Sequence, residues 1–307
     1  MFTAKRGRLA LVGAAWVGAV VALSGCASGN PLDTGSTDTA GDALVVSSQD
    51  YYSNEIIAEI YAQALEANDI KVERDFRIGQ REVYLPEIEA GGIDVFPEYT
   101  GSLLQALEPT AAGGTSDEIY TDLQAALPDG LRVLDKAEAS DQNSWTVTQA
   151  FADKYNLTDI ESLKNVTEPI IVGGNAELET RPYGPAALKE MYGIETAGFK
   201  PIEDGGGPLT VKALVDGDIQ ITNIYTASPN IKTDKLVALE DPDGLFFADN
   251  VVPVVSEKVN EQAAEVLNKV SAALTADALV SLNSESVNEQ KSAEDIAAAW
   301  LERANLF

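Results

Sequence analysis

The chain has no histidine and a single cysteine, Cys26. Without imidazole there is no Ser-His-Asp or Cys-His catalysis, and without further thiols there is no Cys or His zinc site, no intramolecular disulfide and no thiol redox chemistry. Carboxylate pairs and a Ser-Lys dyad stay open in principle, but no segment groups such residues into a recognisable catalytic motif. The composition therefore predicts no enzyme: no catalytic residue, no metal and no cofactor. Basic residues are scarce as well, with 21 Lys and Arg against 49 Asp and Glu and a formal net charge of −28. That surface repels nucleic acid, and it suits either solubility or a cationic or zwitterionic ligand.

Long apolar runs are missing, apart from Leu9 to Leu23 behind Lys5, Arg6 and Arg8. At about 15 residues it falls short of the roughly 20 needed to cross a bilayer, and it runs into the small residues Ser24 and Gly25, so 1–25 reads as a signal peptide. Leu23-Ser24-Gly25-Cys26 resembles a bacterial lipobox, which implies a lipidated Cys26 anchored to the outer face of the cell membrane. Residues 26–42, rich in Gly, Ser, Thr and Asp, have almost nothing to bury and are expected to form a flexible tether.

From Ala43 onward the pattern alternates strand with helix. Leu44 to Ser48 reads as a strand, followed by a helix with Ile56, Ile57, Ile60, Tyr61, Ala64 and Leu65 at helical spacing. Lys71 to Ile78, a helix over Val83 to Ala90, and a strand Ile93 to Phe96 ending at Pro97 complete one α/β unit. A second unit has strands at Ser144 to Thr148, Ile170 to Val172 ending in Gly173-Gly174, and Ile219 to Ile221, with Phe199 to Ile202 as a candidate further strand and helices at Ala186 to Tyr192 and Leu209 to Val215. The tail from Gln262 is amphipathic helix. An internal echo links the halves: Ile88-x-x-Gly91-x-Ile93-x-Val95-x-x-x-Tyr99-Thr100 matches Leu214-x-x-Gly217-x-Ile219-x-Ile221-x-x-x-Tyr225-Thr226. Each reads as a helix stopped by Gly, a buried strand, and a Tyr-Thr pair beyond the strand's carboxyl end, where ligands bind in open α/β sheets.

The string Gly91 to Leu104 (GGIDVFPEYTGSLL), with Gly79 to Tyr84, Arg181 to Gly184 and Ala213 to Gly217 leading to Tyr225-Thr226, resembles the substrate-binding proteins of the glycine betaine, choline and carnitine ABC importers. The resemblance runs over essentially all of Leu44 to Phe307. It implies a two-lobed periplasmic-binding-protein fold of type II topology with a two-stranded hinge near Asn143 to Val147 and Val251 to Val255. Lobe I would comprise 43–143 and 251–307, and lobe II 144–250. It also implies a monomer that closes on a small solute and delivers it intact to a permease subunit. A sensor using the same cleft, or an envelope enzyme using Glu82 and Glu98, are the competing readings.

A quaternary ammonium takes no hydrogen bonds and is recognised by aromatic faces, with donors for any carboxylate. The aromatic candidates are Tyr51, Tyr52, Tyr99, Tyr183 and Tyr225, each weighed against simple core packing, while Phe96 is expected in the core. Gln49, Glu98, Thr100, Asn143, Asn175, Arg181 and Thr226 join them as candidate ligand contacts, with Glu98 alternatively capping the helix at Ser102. Arg81-Glu82 departs from the family pattern, which tends to place a cage tyrosine here. Arg81 is expected to grip a ligand carboxylate and Glu82 a cation or an N–H donor, selecting a solute more polar than choline, unless they serve as a helix cap or an interlobe salt bridge, a structural ion pair.

Overall fold

The computed structural model describes residues 43–307; the signal peptide, Cys26 and the tether expected from the sequence lie outside the described residues. The first sheet opens with β1 (Leu44–Ser47), a Val-rich strand whose residues are almost all buried, as a central parallel strand requires. It pairs in parallel with β2 (Val72–Asp75) and β3 (Val95–Tyr99), through the crossover helices α1 (Tyr52–Glu66) and α2 (Arg81–Glu89). Then come α3 (Thr100–Leu107), α4 (Ser116–Ala126) and β4 (Leu131–Val133).

The second sheet is built from β5 (Trp145–Thr148), β6 (Ile171–Gly174), β7 (Gly198–Pro201), β8 (Ile221–Asn223) and β9 (Leu236–Ala238). Its helices are α5 (Gln149–Tyr155), α6 (Pro185–Tyr192), α7 (Pro208–Val215) and the single turn α8 (Asn230–Thr233). The chain then returns as β10 (Val251–Ser256), α9 (Glu261–Ala273), α10 (Ala276–Val287) and α11 (Ala293–Ala304). Strand order is β2-β1-β3-β10-β4 in one sheet and β7-β6-β8-β5-β9 in the other. In each, the first strand after the chain changes sheets is inserted antiparallel at the same place: β10 beside β3, and β5 beside β8. The two crossing segments pair through an antiparallel bridge between Ser140 and Asn250, upstream of both crossings expected from the sequence.

Among the elements that differ from expectation, β2 covers only Val72–Asp75 of the stretch Lys71 to Ile78. α2 starts at Arg81 rather than Val83, and β8 starts at Ile221 rather than Ile219. β3 runs through Pro97 to Tyr99, because Pro97 sits opposite Pro253 in a position where neither nitrogen has to donate across the ladder. The Pro97 carbonyl, facing away from β10, accepts from Asn54 Nδ2 at 2.8 Å, and that of Pro253 accepts from Leu134 N at 3.0 Å.

The larger core forms around α1. Ile56, Ile57, Ile60, Tyr61, Ala64 and Leu65 are all buried, because α1 lies between the first sheet and the C-terminal helices α9, α10 and α11. The faces of α1 turned to the sheet and to these helices are mainly apolar, its more exposed edge carries Glu55, Gln63 and Glu66, and each buried Ile or Leu contributes about 1.5–3 kcal/mol. This fixes the amino end of α1, and with it Tyr51 and Tyr52, at the edge of the first lobe.

The echo between the halves is structural. Gly91 and Gly217 both take a left-handed conformation after a helix (φ +75° and +80°), and their amides return to Ile88 and Leu214 carbonyls at 3.0 and 3.2 Å. Asp94 Oδ2 accepts from Val45 N at 3.0 Å, and Gln220 Oε1, at the equivalent position, accepts from Ile171 N at 2.9 Å. Each clip ties the turn before a strand to the parallel strand beside it, β1 beside β3 and β6 beside β8.

Candidate functional site

The carboxyl ends of the parallel strands bring the candidate residues together. Gln49, Tyr51 and Tyr52 follow β1, Tyr99 ends β3, Asn175 follows β6, and Asn223 and Tyr225 lie at the end of β8 and just beyond it. Tyr51 from the first lobe stacks on Tyr225 from the second, with centroids 5.1 Å apart and planes 26° from parallel. Tyr52 meets Tyr51 edge-on at 6.2 Å, and the Tyr51 hydroxyl donates to that of Tyr99. Burial first, and the Asp141 carboxylate among the neighbouring groups, raise the pKa of all four phenols, so they present neutral rings. Gln49 Nε2 and Asn223 Nδ2 are buried donors with no hydrogen-bond partner among the described residues. Unpaired buried amides of this kind are costly and point to a ligand acceptor or a water.

Glycine at 205 is what lets the lobes touch. It sits at φ +63°, and a Cβ there would lie 2.7 Å from the Tyr51 Cβ. Asn175 serves the same loop, accepting from Gly205 N at 2.9 Å, so its side chain is committed to the turn rather than free for a solute. Gly205→Val should therefore hold the lobes apart and weaken ligand binding at least tenfold. Small-angle scattering of the variant with saturating ligand should show a larger radius of gyration than wild type, and an unchanged radius would contradict this.

Arg81 and Glu82 take different partners: Arg81 pairs with Glu98 in its own lobe, and Glu82 makes an interlobe salt bridge, the alternative to a ligand contact. Arg81 gives Nε and Nη2 to Glu98 at 2.8 and 2.9 Å, and Glu98 also accepts from the Tyr84 hydroxyl at 2.5 Å and from Tyr99 N at 2.8 Å. Burial disfavours the charged guanidinium, but the Glu98 carboxylate beside it lifts Arg81 well above its ordinary pKa. Glu98 is thus saturated by four donors and does not cap the helix at Ser102. Asp249 does, accepting from Ser102 N at 2.9 Å and Ser102 Oγ at 2.5 Å.

Glu82 turns instead to Arg181 in the other lobe, at 3.3 Å from Nε and 3.2 Å from Nη2. Arg181 also reaches Gln80 Oε1 at 3.4 Å and the Tyr183 hydroxyl at 3.2 Å, and Tyr183 packs against Phe246. Beside Arg181 and Tyr183 opens a cavity of about 530 Å³ that Arg81, Glu82, Gln105 and Thr180 also line.

Several candidates are bound into the frame. Thr100 Oγ1 donates to Ala248 O and accepts from Asn250 N, both at 3.0 Å, which locks β3 to the return crossing. Thr226 is exposed, and its Oγ1 accepts from Gln142 N at 3.0 Å. Asn143 donates to Ser102 Oγ at 3.0 Å. Phe96 is buried against Tyr84, as expected of a core ring. Sequence reasoning missed Asn223, although the echo marks it as the counterpart of Pro97, and it missed Tyr84, Gln80 and Asp141. Among the described residues, no group of three or more carboxylates or thiols is placed to hold a metal ion.

Two lobes, each a five-stranded sheet with one antiparallel strand, joined by paired crossing segments, define the fold of a two-lobed substrate-binding protein. A crystal structure of a glycine betaine/carnitine/choline ABC transporter shares it, with a TM-score of 0.68 at 18% identity over 86% of this chain and 99% of that one. The family model for the substrate binding domain of an ABC-type glycine betaine transport system matches residues 42–303, and the chain belongs to that family. It is 24% identical over 302 residues to the glycine betaine-binding protein YehZ of Escherichia coli (strain K12), covering 94% of this chain and 96% of that protein. It is also 21% identical over 270 residues to the ergothioneine transport permease/ergothioneine binding protein EgtU of Helicobacter pylori (strain G27), covering 86% of this chain and 48% of EgtU.

Proposed function

We propose that the chain captures a betaine-type zwitterion between lobe I (43–143 and 251–307) and lobe II (144–250) and delivers it, unaltered, to an ABC permease. Cys26 carries the lipid anchor that holds this monomer outside the cell membrane. The observation that carries the reading is the stack of Tyr51 on Tyr225, two rings contributed by opposite lobes. A trimethylammonium entering there exchanges a ring–ring contact for ring–cation contacts, worth about 2 kcal/mol or more when desolvated. Closure then depends on the solute, because only a closed cleft gives the cation both faces.

The opposite end of the zwitterion goes to Arg181. Its bonds to Glu82 are long, the Glu82 side chain is 51% exposed, and a ligand carboxylate in bidentate geometry is the better partner. Arg181→Ala should weaken a carboxylate-bearing betaine at least tenfold and leave choline, which has no carboxylate, within about twofold, as read by calorimetry. Equal losses for both ligands would remove Arg181 from this role. A second reading, a betaine with a larger side group, is favoured by the cavity of about 530 Å³ beside Arg181 and Tyr183, which glycine betaine would leave mostly unfilled. Titrating glycine betaine against bulkier betaines decides between the two.

A further inference from the structure

Asp141 lies in the crossing segment, only 2% exposed, and has no Lys or Arg partner among the described residues. Its Oδ2 accepts from Ser53 Oγ at 3.2 Å, and its Oδ1 accepts from Ala227 N at 2.8 Å. Ser53 follows Tyr51 and Tyr52 in the first lobe; Ala227 lies two residues beyond Tyr225 in the second. The carboxylate is therefore held at the point where both cage-bearing segments meet. Isolating a carboxylate from water without a cation is expensive, and nothing in the fold requires an acid here, since an asparagine could accept from Ala227 N on its oxygen and donate from its nitrogen to the Ser53 hydroxyl. Such an arrangement makes sense if the missing cation arrives with the ligand.

We propose that Asp141 is the counter-charge of the site: it sets the preference of the tyrosine cluster for a cationic head group and, by bridging Ser53 and Ala227, ties capture of that cation to the closed lobes. The proposal rests on the betaine-type reading above. The groups facing Asp141 leave it as the principal titrating member. From α1 and its cap come Tyr51 and Tyr52, from β3 Tyr99, and from the segment after β8 Tyr225, all with raised phenol pKa values and silent near neutrality. The return crossing brings Asp249, held by Ser102 and raised to about 6, chiefly by burial. Burial raises Asp141 itself to about 7, against the bonds from Ala227 and Ser53, which lower it. A cation in the cluster favours the ionised form, so binding below pH 7 must expel a proton, and affinity must rise with pH until Asp141 is ionised in the free protein.

The test is calorimetric titration of the full chain with glycine betaine at pH 5.5 to 8, in buffers of different ionisation heat. Wild type should release close to one proton near pH 6 and bind about tenfold more tightly at pH 8 than at pH 6. Asp141→Asn should bind about thirtyfold more weakly at pH 8, with no proton release and a flat pH profile. Asp249→Asn should keep the wild-type profile. Wild-type proton release needs no variant, so the test holds even where Asp141→Asn fails to fold. If wild type binds glycine betaine without releasing a proton, or Asp141→Asn keeps its affinity and pH profile, the counter-charge role is wrong and the functional reading stands. If wild type gives no binding heat at any pH with glycine betaine or a bulkier betaine, the functional reading itself falls and takes this role with it.

Discussion

Arg81→Ala should destabilise the protein by about 3–5 kcal/mol, because it strands a fully buried Glu98 carboxylate that now shares two strong charge-assisted bonds with the guanidinium. For a chain of this size that corresponds to a fall in Tm on the order of 10 °C. The loss should appear in urea unfolding without any ligand present, which separates it from a binding defect. Arg81→Met combined with Glu98→Gln should recover part of it, since removing both charges leaves no buried ion unpaired and the amide oxygen still accepts from the Tyr84 hydroxyl or Tyr99 N. An Arg81→Ala protein as stable as wild type, but with weakened ligand affinity, would return Arg81 to the carboxylate-binding role expected from the sequence.

Tyr225→Ala should act in the opposite way. Tyr225 is only partly buried and its hydroxyl makes no hydrogen bond among the described residues, so loss of the side chain costs the fold little. It removes one of the two faces available to the cation, and affinity should fall about thirty- to a hundredfold, equivalent to roughly 2–3 kcal/mol. Tyr225→Phe keeps the face and should bind within about threefold of wild type. Tyr51→Phe should cost more than Tyr225→Phe, because it breaks the hydroxyl contact that orients Tyr99. Comparable affinity for Tyr225→Ala and wild type would show that the stack is packing and not a binding surface.

These two variants mark where the sequence was legible and where it was not. The echo was readable because each half repeats a local rule: a helix halted by a left-handed Gly, then a short buried strand. That rule places Tyr99 and Tyr225 at strand ends without any knowledge of the rest of the fold. The ion pairs were not readable, because Arg81 reaches Glu98 across the first lobe and Arg181 reaches Glu82 across the cleft. One physical signal was available: neighbours at i and i+1 on a helix point apart, so Arg81 and Glu82 at the start of α2 could not easily pair with each other. Asp141 left no local trace. It is an acid in an irregular crossing segment, and its role depends on two chain segments that meet only after both lobes have folded.

The crossed pairs also change what selects the solute. With Arg81 held by Glu98, the proposed discrimination at the carboxylate end rests on Arg181, which pairs with exposed Glu82. A solute that brings its own carboxylate displaces a weak contact there, whereas disturbing Arg81 would disrupt the core.

The central claim, capture of a betaine-type solute between the lobes, is tested most directly by titrating the purified protein with a panel of betaines in a calorimeter. One saturable site per chain is expected, with the melting point raised by an amount equivalent to about 2.7 kcal/mol at a hundredfold excess over Kd. No heat and no thermal shift with any quaternary-ammonium zwitterion would contradict it.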